Sequence, residues 1–485
     1  MYLMRSILRS TAILSSSSIV SILISLVSAK AWAVLVGPGG LGFLGLLTSL
    51  AGIAGIIAGM GIGAGLVRKS AHALAQEDHH RVGALVQATR LLSWGLGAVA
   101  MLTLIIFRIP ISQLVLGGQE HAVSVMLIGL SLLFNLAGSM QTSILNAHHR
   151  VGALAKIGIL NSLLGVGISL VFIWLWREQG IAPGIVGSAA VSWATSWFFL
   201  RREVNLSCTR PSHQAITEAA WSLLRFGGPY TASQLVGTGV QLALPLLVFY
   251  SLDQENVGFY RAAVAVANGY LGFLLIAMGQ DYYPRVSASR DRPDELIHLV
   301  NQQHRLVMLL AVPIILGTLA LAPYLVPVIY SPQFAPTIEV LEWLLIGDLF
   351  KFSSWTMGYV ILAQSGSITL FLVELIAGVN ILAFSWLGML WFGIEGLGIA
   401  FLATYLLHYV IVWIIVRREI GLVWTIENKR RLLIAVLAAL VIRVLPFTGL
   451  QNFRSPVALT LAVLIGVGSL YTIWQEIGRV ERVHA

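Results

Sequence analysis

Charge is scarce in this chain. Asp, Glu, Lys and Arg make up 11% of its 485 residues, against 57% hydrophobic. Cysteine is scarcer still, with Cys208 alone, which excludes an intramolecular disulfide and any cysteine-based metal spacing. Also absent is a long polar stretch that could fold as a soluble domain and carry chemistry there. Mean hydropathy is +0.85. These absences exclude a soluble enzyme and leave what a helix bundle does within a bilayer, with transport first.

What is present is a series of apolar runs. A membrane span needs roughly 20 mostly apolar residues. The sequence predicts about fourteen, at 11–36, 41–66, 88–107, 121–145, 155–176, 184–200, 223–250, 258–283, 306–330, 337–363, 368–391, 394–416, 431–446 and 456–474. The seam near Gly393 is the shortest, and the thirteenth span is bounded by Pro446, so twelve to fourteen is the range. The fold class is therefore an all-α integral membrane protein. Arg5 and Arg9 before an apolar run have the outline of a signal peptide, but the run is too long and a second span follows at once.

Basic residues orient the chain. With a cytoplasmic N-terminus, the outside segments hold only Arg108, Arg177 and Arg454. Lys30, Arg261, Lys351 and Arg443 fall deeper within spans, and the rest of the 30 basic residues lie inside or at the inner ends of spans. This bias places both termini and the Cys208 loop in the cytoplasm. It also accounts for the net charge of +9 without nucleic acid as a partner.

The chain repeats itself. One constant shift carries Gly42-Phe43 onto Gly258-Phe259, Ala51 onto Ala267, Gly63 onto Gly279 and Lys69 onto Arg285. Both copies begin on the same side, as in parallel repeats related by an axis along the membrane normal. In such transporters the substrate lies between the halves.

Polar residues inside spans are the candidate site. Gln234 and Gln241 share one side of the seventh span, and Arg261 and Asn268 share one side of the eighth. Two amides and an arginine suit a cavity wall better than a lipid face. Lys30 and Arg261 sit in the outer parts of their spans, where they either snorkel to headgroups or face an anionic substrate. Asp348 is about 17 Å from the outer end of its span, too deep for snorkelling, and Lys351 lies one turn on, as a local pair would. Glu374, followed by Asn380, is a candidate proton or sodium ligand. The small residues from Gly45 to Gly63 on one face of the second span read as a close-packing stripe. The glycines of 59–65 lack the strand–helix setting of a nucleotide loop.

The opening of the chain carries a resemblance. Arg9 before the first helix, Val36-Gly37-Pro38-Gly39-Gly40-Leu41-Gly42, a glycine-rich second helix and Gly65-Leu66-Val67-Arg68-Lys69 resemble bacterial Wzx-type polysaccharide (O-antigen) flippases. These belong to the MOP exporter superfamily, with the lipid II flippase MurJ and the MATE drug exporters. The resemblance implies two six-helix lobes around a central cavity, here 1–210 and 211–416, plus two C-terminal spans and a cytoplasmic tail in 417–485. It implies transfer of an undecaprenyl-pyrophosphate-linked oligosaccharide from the cytoplasmic to the periplasmic leaflet of a bacterial inner membrane. It also implies Lys30 and Arg261 at the pyrophosphate, and Glu374 with Asn380 at a cation site. No cofactor beyond a coupling Na+ or H+ is expected. A polysaccharide polymerase complex is the further partner this function implies.

Two rivals remain. A MATE-like exporter of cationic drugs calls for acids in the first lobe and twelve spans. A membrane-embedded glycosyltransferase or polymerase calls for a large outer loop with carboxylates or paired arginines, whereas the longest outer stretch, around Arg108 to Glu120, holds one acid, Glu120.

Overall fold

The computed structural model describes residues 2–76, 78–204, 211–277, 282–365, 367–445 and 454–484. Cys208, Gly279 and Pro446 fall outside them, and the side chains of Arg5 and Arg9 lie outside those described. Among the described residues every regular element is helical. In chain order they are α1 (Tyr2–Gly59), α2 (Ile62–Ala75), α3 (His79–Ile106), α4 (Arg108–Leu116), α5 (Ala122–Ala147), α6 (Val151–Leu160), α7 (Val166–Trp176), α8 (Ile181–Glu203) and α9 (His213–Ser251). They continue with α10 (Gln254–Ala277), α11 (Tyr283–Ala288), α12 (Pro293–Ile329), α13 (Pro336–Gln364), α14 (Ser367–Phe392), α15 (Glu395–Ile420), α16 (Ile426–Val444) and α17 (Arg454–His484). Each of the fourteen expected spans falls on one or more of these helices. Among the described residues seven segments combine the length and apolarity of a span; two of them, Ile24–Gly59 and Val151–Glu203, cover more than one expected span. The chain is a multi-pass membrane protein.

The breaks differ from the sequence reading in two places. The first two spans are joined without a loop: α1 kinks at Gly37, whose φ of 67° is open to glycine, just before Pro38. The second span, expected to run unbroken to 66, breaks at Met60 and Gly61, with φ of 43° and 59°. Met60 is a non-glycine residue in the left-handed region, a conformation that costs energy and needs surrounding structure to hold it. The carbonyl of Met60 lies where a side chain at Gly227 of α9 would begin, so α9 is cut away to receive the break. The narrow seam near Gly393 is a tight turn with φ of 57°, and Gly388 and Gly396 let α14 and α15 meet backbone to backbone.

The chain divides into two compact units, Met1–Val248 and Phe249–Ala485, with the division inside α9. In the first, α5 packs against α8, α3, α2 and α1. Leu66, Leu85, Ile144, Leu145 and Leu223 belong to one buried cluster there. The expected packing stripe holds along its second half: Gly55, Gly59 and Gly63 face Leu132, Leu136 and Ser143 of α5. In the second unit α13 is central, packed on α15, α12, α10 and α16. The C-terminal pair belongs to this unit: α17 and α16 both lie against α12.

Candidate functional site

The residues expected to form a cavity wall are either half-buried or exposed. In the first unit Lys30 on α1 is half-buried, while Gln234 and Gln241 on α9 are exposed. Gln234 joins Tyr230 and Thr231 in lining a cavity of about 190 Å³ against Gly59, Gly61 and Gly63, beside the break at Met60. In the second unit Arg261 on α10 is half-buried and Asn268, two turns on, is exposed.

The acidic candidates separate into two kinds. Asp348 and Lys351 on α13 are both buried, and the Lys351 ammonium lies 3.8 Å from the Asp348 carboxylate. An apolar helix tolerates that lysine because its charge is compensated twice. Aromatic faces surround the ammonium: Trp355 at 4.9 Å, Tyr405 at 5.2 Å and Phe401 at 5.3 Å. Glu374 on α14 is exposed, yet within electrostatic reach of Lys351. The structure therefore brings Asp348, Lys351 and Glu374 into one electrostatic group, with Tyr405 as a member the sequence reading lacked. Asn380 is half-buried, six residues beyond Glu374 and so about 9 Å along α14.

A second charged group gathers around Arg443, which the sequence places within a span but does not pair. Arg443 of α16 is buried and ion-paired with Glu342 of α13 at 3.0 Å and with Glu395 at the start of α15. Glu395 also accepts a hydrogen bond from the Trp343 indole at 2.8 Å. One guanidinium faces two carboxylates, and together they tie α16 to α13 and α15. A signal existed in the sequence: Glu342 and Glu395 open their spans and Arg443 closes its own, so the topology places all three at one membrane face.

The profile of the polysaccharide biosynthesis protein family matches residues 31–339. The chain belongs to this family. Among curated proteins it is similar to the "Lipid III flippase" of Escherichia coli (strain K12), 22% identical over 397 residues that make up 81% of this chain and 94% of that one. Its fold is similar to that of "Lipid II flippase MurJ, inward closed conformation", with a TM-score of 0.68 at 14% identity, covering 97% of this chain and 99% of that chain. A "multidrug resistance MATE family transporter of the MOP superfamily" in an inward-facing conformation gives a TM-score of 0.63 at 16% identity, covering 84% and 96%. The chain thus shares its fold with these two transporters.

Proposed function

We propose that this protein is a flippase that carries a polyprenyl-pyrophosphate-linked oligosaccharide, of the O-antigen or exopolysaccharide kind, from the cytoplasmic to the periplasmic leaflet. The observation that carries this reading is the joint match to a polysaccharide biosynthesis family and to a relative named as a lipid flippase over most of both chains. The share of each chain that aligns supports it against a MATE-like exporter. The MurJ fold spans nearly the whole chain, whereas the MATE fold leaves about a sixth of it unmatched.

The physics of the cargo fits the residues. A pyrophosphate and sugars in hydrocarbon would leave polar groups unsatisfied at several kcal/mol each, on the order of the cost of an unpaired buried amide or hydroxyl. Cations and amides in place of water remove that cost, while the polyprenyl tail stays in lipid. We assign Lys30 and Arg261 to the pyrophosphate, Gln234, Gln241 and Asn268 to the sugars, and the Asp348–Lys351–Glu374 group to coupling. We place both termini in the cytoplasm. With the cytoplasm negative, outward movement of an anion is favoured by about 2.3 kcal/mol per charge per 100 mV, so an ion gradient is needed only to reset the carrier.

Deleting the gene from its native cell tests this reading. The expected result is loss of one surface polysaccharide with its lipid-linked repeat unit accumulating in the inner leaflet. Normal polysaccharide together with new drug sensitivity would favour the exporter.

A further inference from the structure

The ends of α2 and α9 in the first unit form a cleft that the transport reading leaves unused. The helices meet closely because Gly65 has no side chain, and Leu223 and Phe226 of α9 fill that space. The resulting cleft of about 460 Å³ is lined by Lys69, Glu218, Trp221, Ser222, Arg225 and Phe226. Among the described residues neither Lys69 nor Arg225 is ion-paired. Glu218, the one acid in the lining, accepts a hydrogen bond from the Gln214 amide at 3.1 Å. The Arg68 guanidinium stands 5.5 Å over the Phe226 ring and adds a third cation at the rim. Trp221 is 70% exposed, so its indole faces whatever fills the cleft or the surrounding lipid.

Each part has a chemical consequence. An exposed indole at a helix end belongs in the headgroup layer, where its ring meets lipid carbon and its N–H meets polar groups. Ammonium and guanidinium groups in that layer bind phosphate oxygens. A free small anion would have no use for the exposed indole and the phenyl ring beside the cations. We propose that this cleft binds the phosphate headgroup of a membrane lipid at the cytoplasmic face, with Lys69 and Arg225 on the phosphate and Trp221 and Phe226 against the first carbons of its chains. This rests on the orientation and transport reading given above. Two lipids offer the same chemistry: the pyrophosphate-linked substrate waiting to be moved, and an ordinary anionic phospholipid.

Native mass spectrometry of the full chain released from nanodiscs separates them. The nanodiscs are phosphatidylcholine doped, at equal mole fraction, with phosphatidylglycerol or with undecaprenyl pyrophosphate. Retention of the doped lipid should fall about thirtyfold in the double variant Lys69→Gln, Arg225→Gln, since each of the two surface cations contributes on the order of 1 kcal/mol to anionic lipid. The control pair Arg150→Gln, Lys156→Gln removes equal charge from exposed positions in the same unit and should leave retention unchanged. Glu218→Gln should raise retention, a gain that misfolding does not produce. Stronger retention of the pyrophosphate lipid would assign the cleft to the substrate; equal retention would assign it to phospholipid and leave the transport reading to its own test. Retention in the double variant equal to wild type, or reduced no more than in the control pair, would overturn the proposal.

Discussion

Lys351 and Asp348 lie one helical turn apart on α13, paired at 3.8 Å and both buried. Removing one partner of a buried pair leaves the other charge uncompensated, at a cost of about 3–5 kcal/mol, while removing both is far milder. Asp348→Asn and Lys351→Gln should each lower stability by about 3 kcal/mol. The double variant should recover most of that loss in a denaturation cycle. Additive losses would show that the two charges serve other partners.

Arg443 should be harder to lose than either carboxylate it holds. Arg443→Gln strands Glu342 and Glu395 together and should destabilise by more than about 3 kcal/mol. Glu395→Gln leaves Glu342 on the guanidinium, and Glu395 is partly exposed, so its loss should stay near 1 kcal/mol or less. Thermal unfolding in detergent compares the two. Equal losses would mean that the arginine does not bind the carboxylates as a cluster.

Glu374 lies at the surface of α14, within electrostatic reach of Lys351 but not in the buried pair, and we assign it to coupling. Glu374→Gln should fold normally and flip substrate without dependence on sodium or pH. Unchanged gradient dependence in proteoliposomes would remove it as the coupling residue and leave the membrane potential as the driving force.

Orientation has a direct readout in the lone cysteine. Cys208 should react with an impermeant maleimide only after permeabilisation of spheroplasts. Labelling of intact spheroplasts would invert the topology, and with it the assignment of the α2–α9 cleft to the cytoplasmic face.

The helices were legible because apolar runs of span length are a first-order signal, and the small-residue stripe ending at Gly63 identified a packing face correctly. The break at Met60 was not legible. Gly-Met-Gly-Ile-Gly is compatible with a helix, and what makes room for the break is Gly227, far off in sequence. The Asp348–Lys351 pair was readable because its partners are one turn apart on one helix. Arg443, Glu342 and Glu395 come from three helices: their places in the spans put them at one membrane face, and the packing of α13, α15 and α16 pairs them. The aromatic faces around Lys351 were hidden for the same reason, since Phe401 and Tyr405 lie on α15.

The proposed transport requires that cations on this chain carry a pyrophosphate-linked oligosaccharide across the bilayer. Purified protein in proteoliposomes, with an undecaprenyl-pyrophosphate-linked oligosaccharide in one leaflet, tests it most directly through the rate at which a sugar-cleaving enzyme outside gains access to the glycan. Wild-type protein should flip the lipid. Arg261→Ala and Lys30→Ala should each slow flipping about tenfold or more, equivalent to 1.4 kcal/mol, at normal reconstitution. Arg261→Lys should keep part of the rate if charge alone is read, and little if paired hydrogen bonds matter. No flipping above empty liposomes by wild-type protein, or full rates in both alanine variants, would contradict the account.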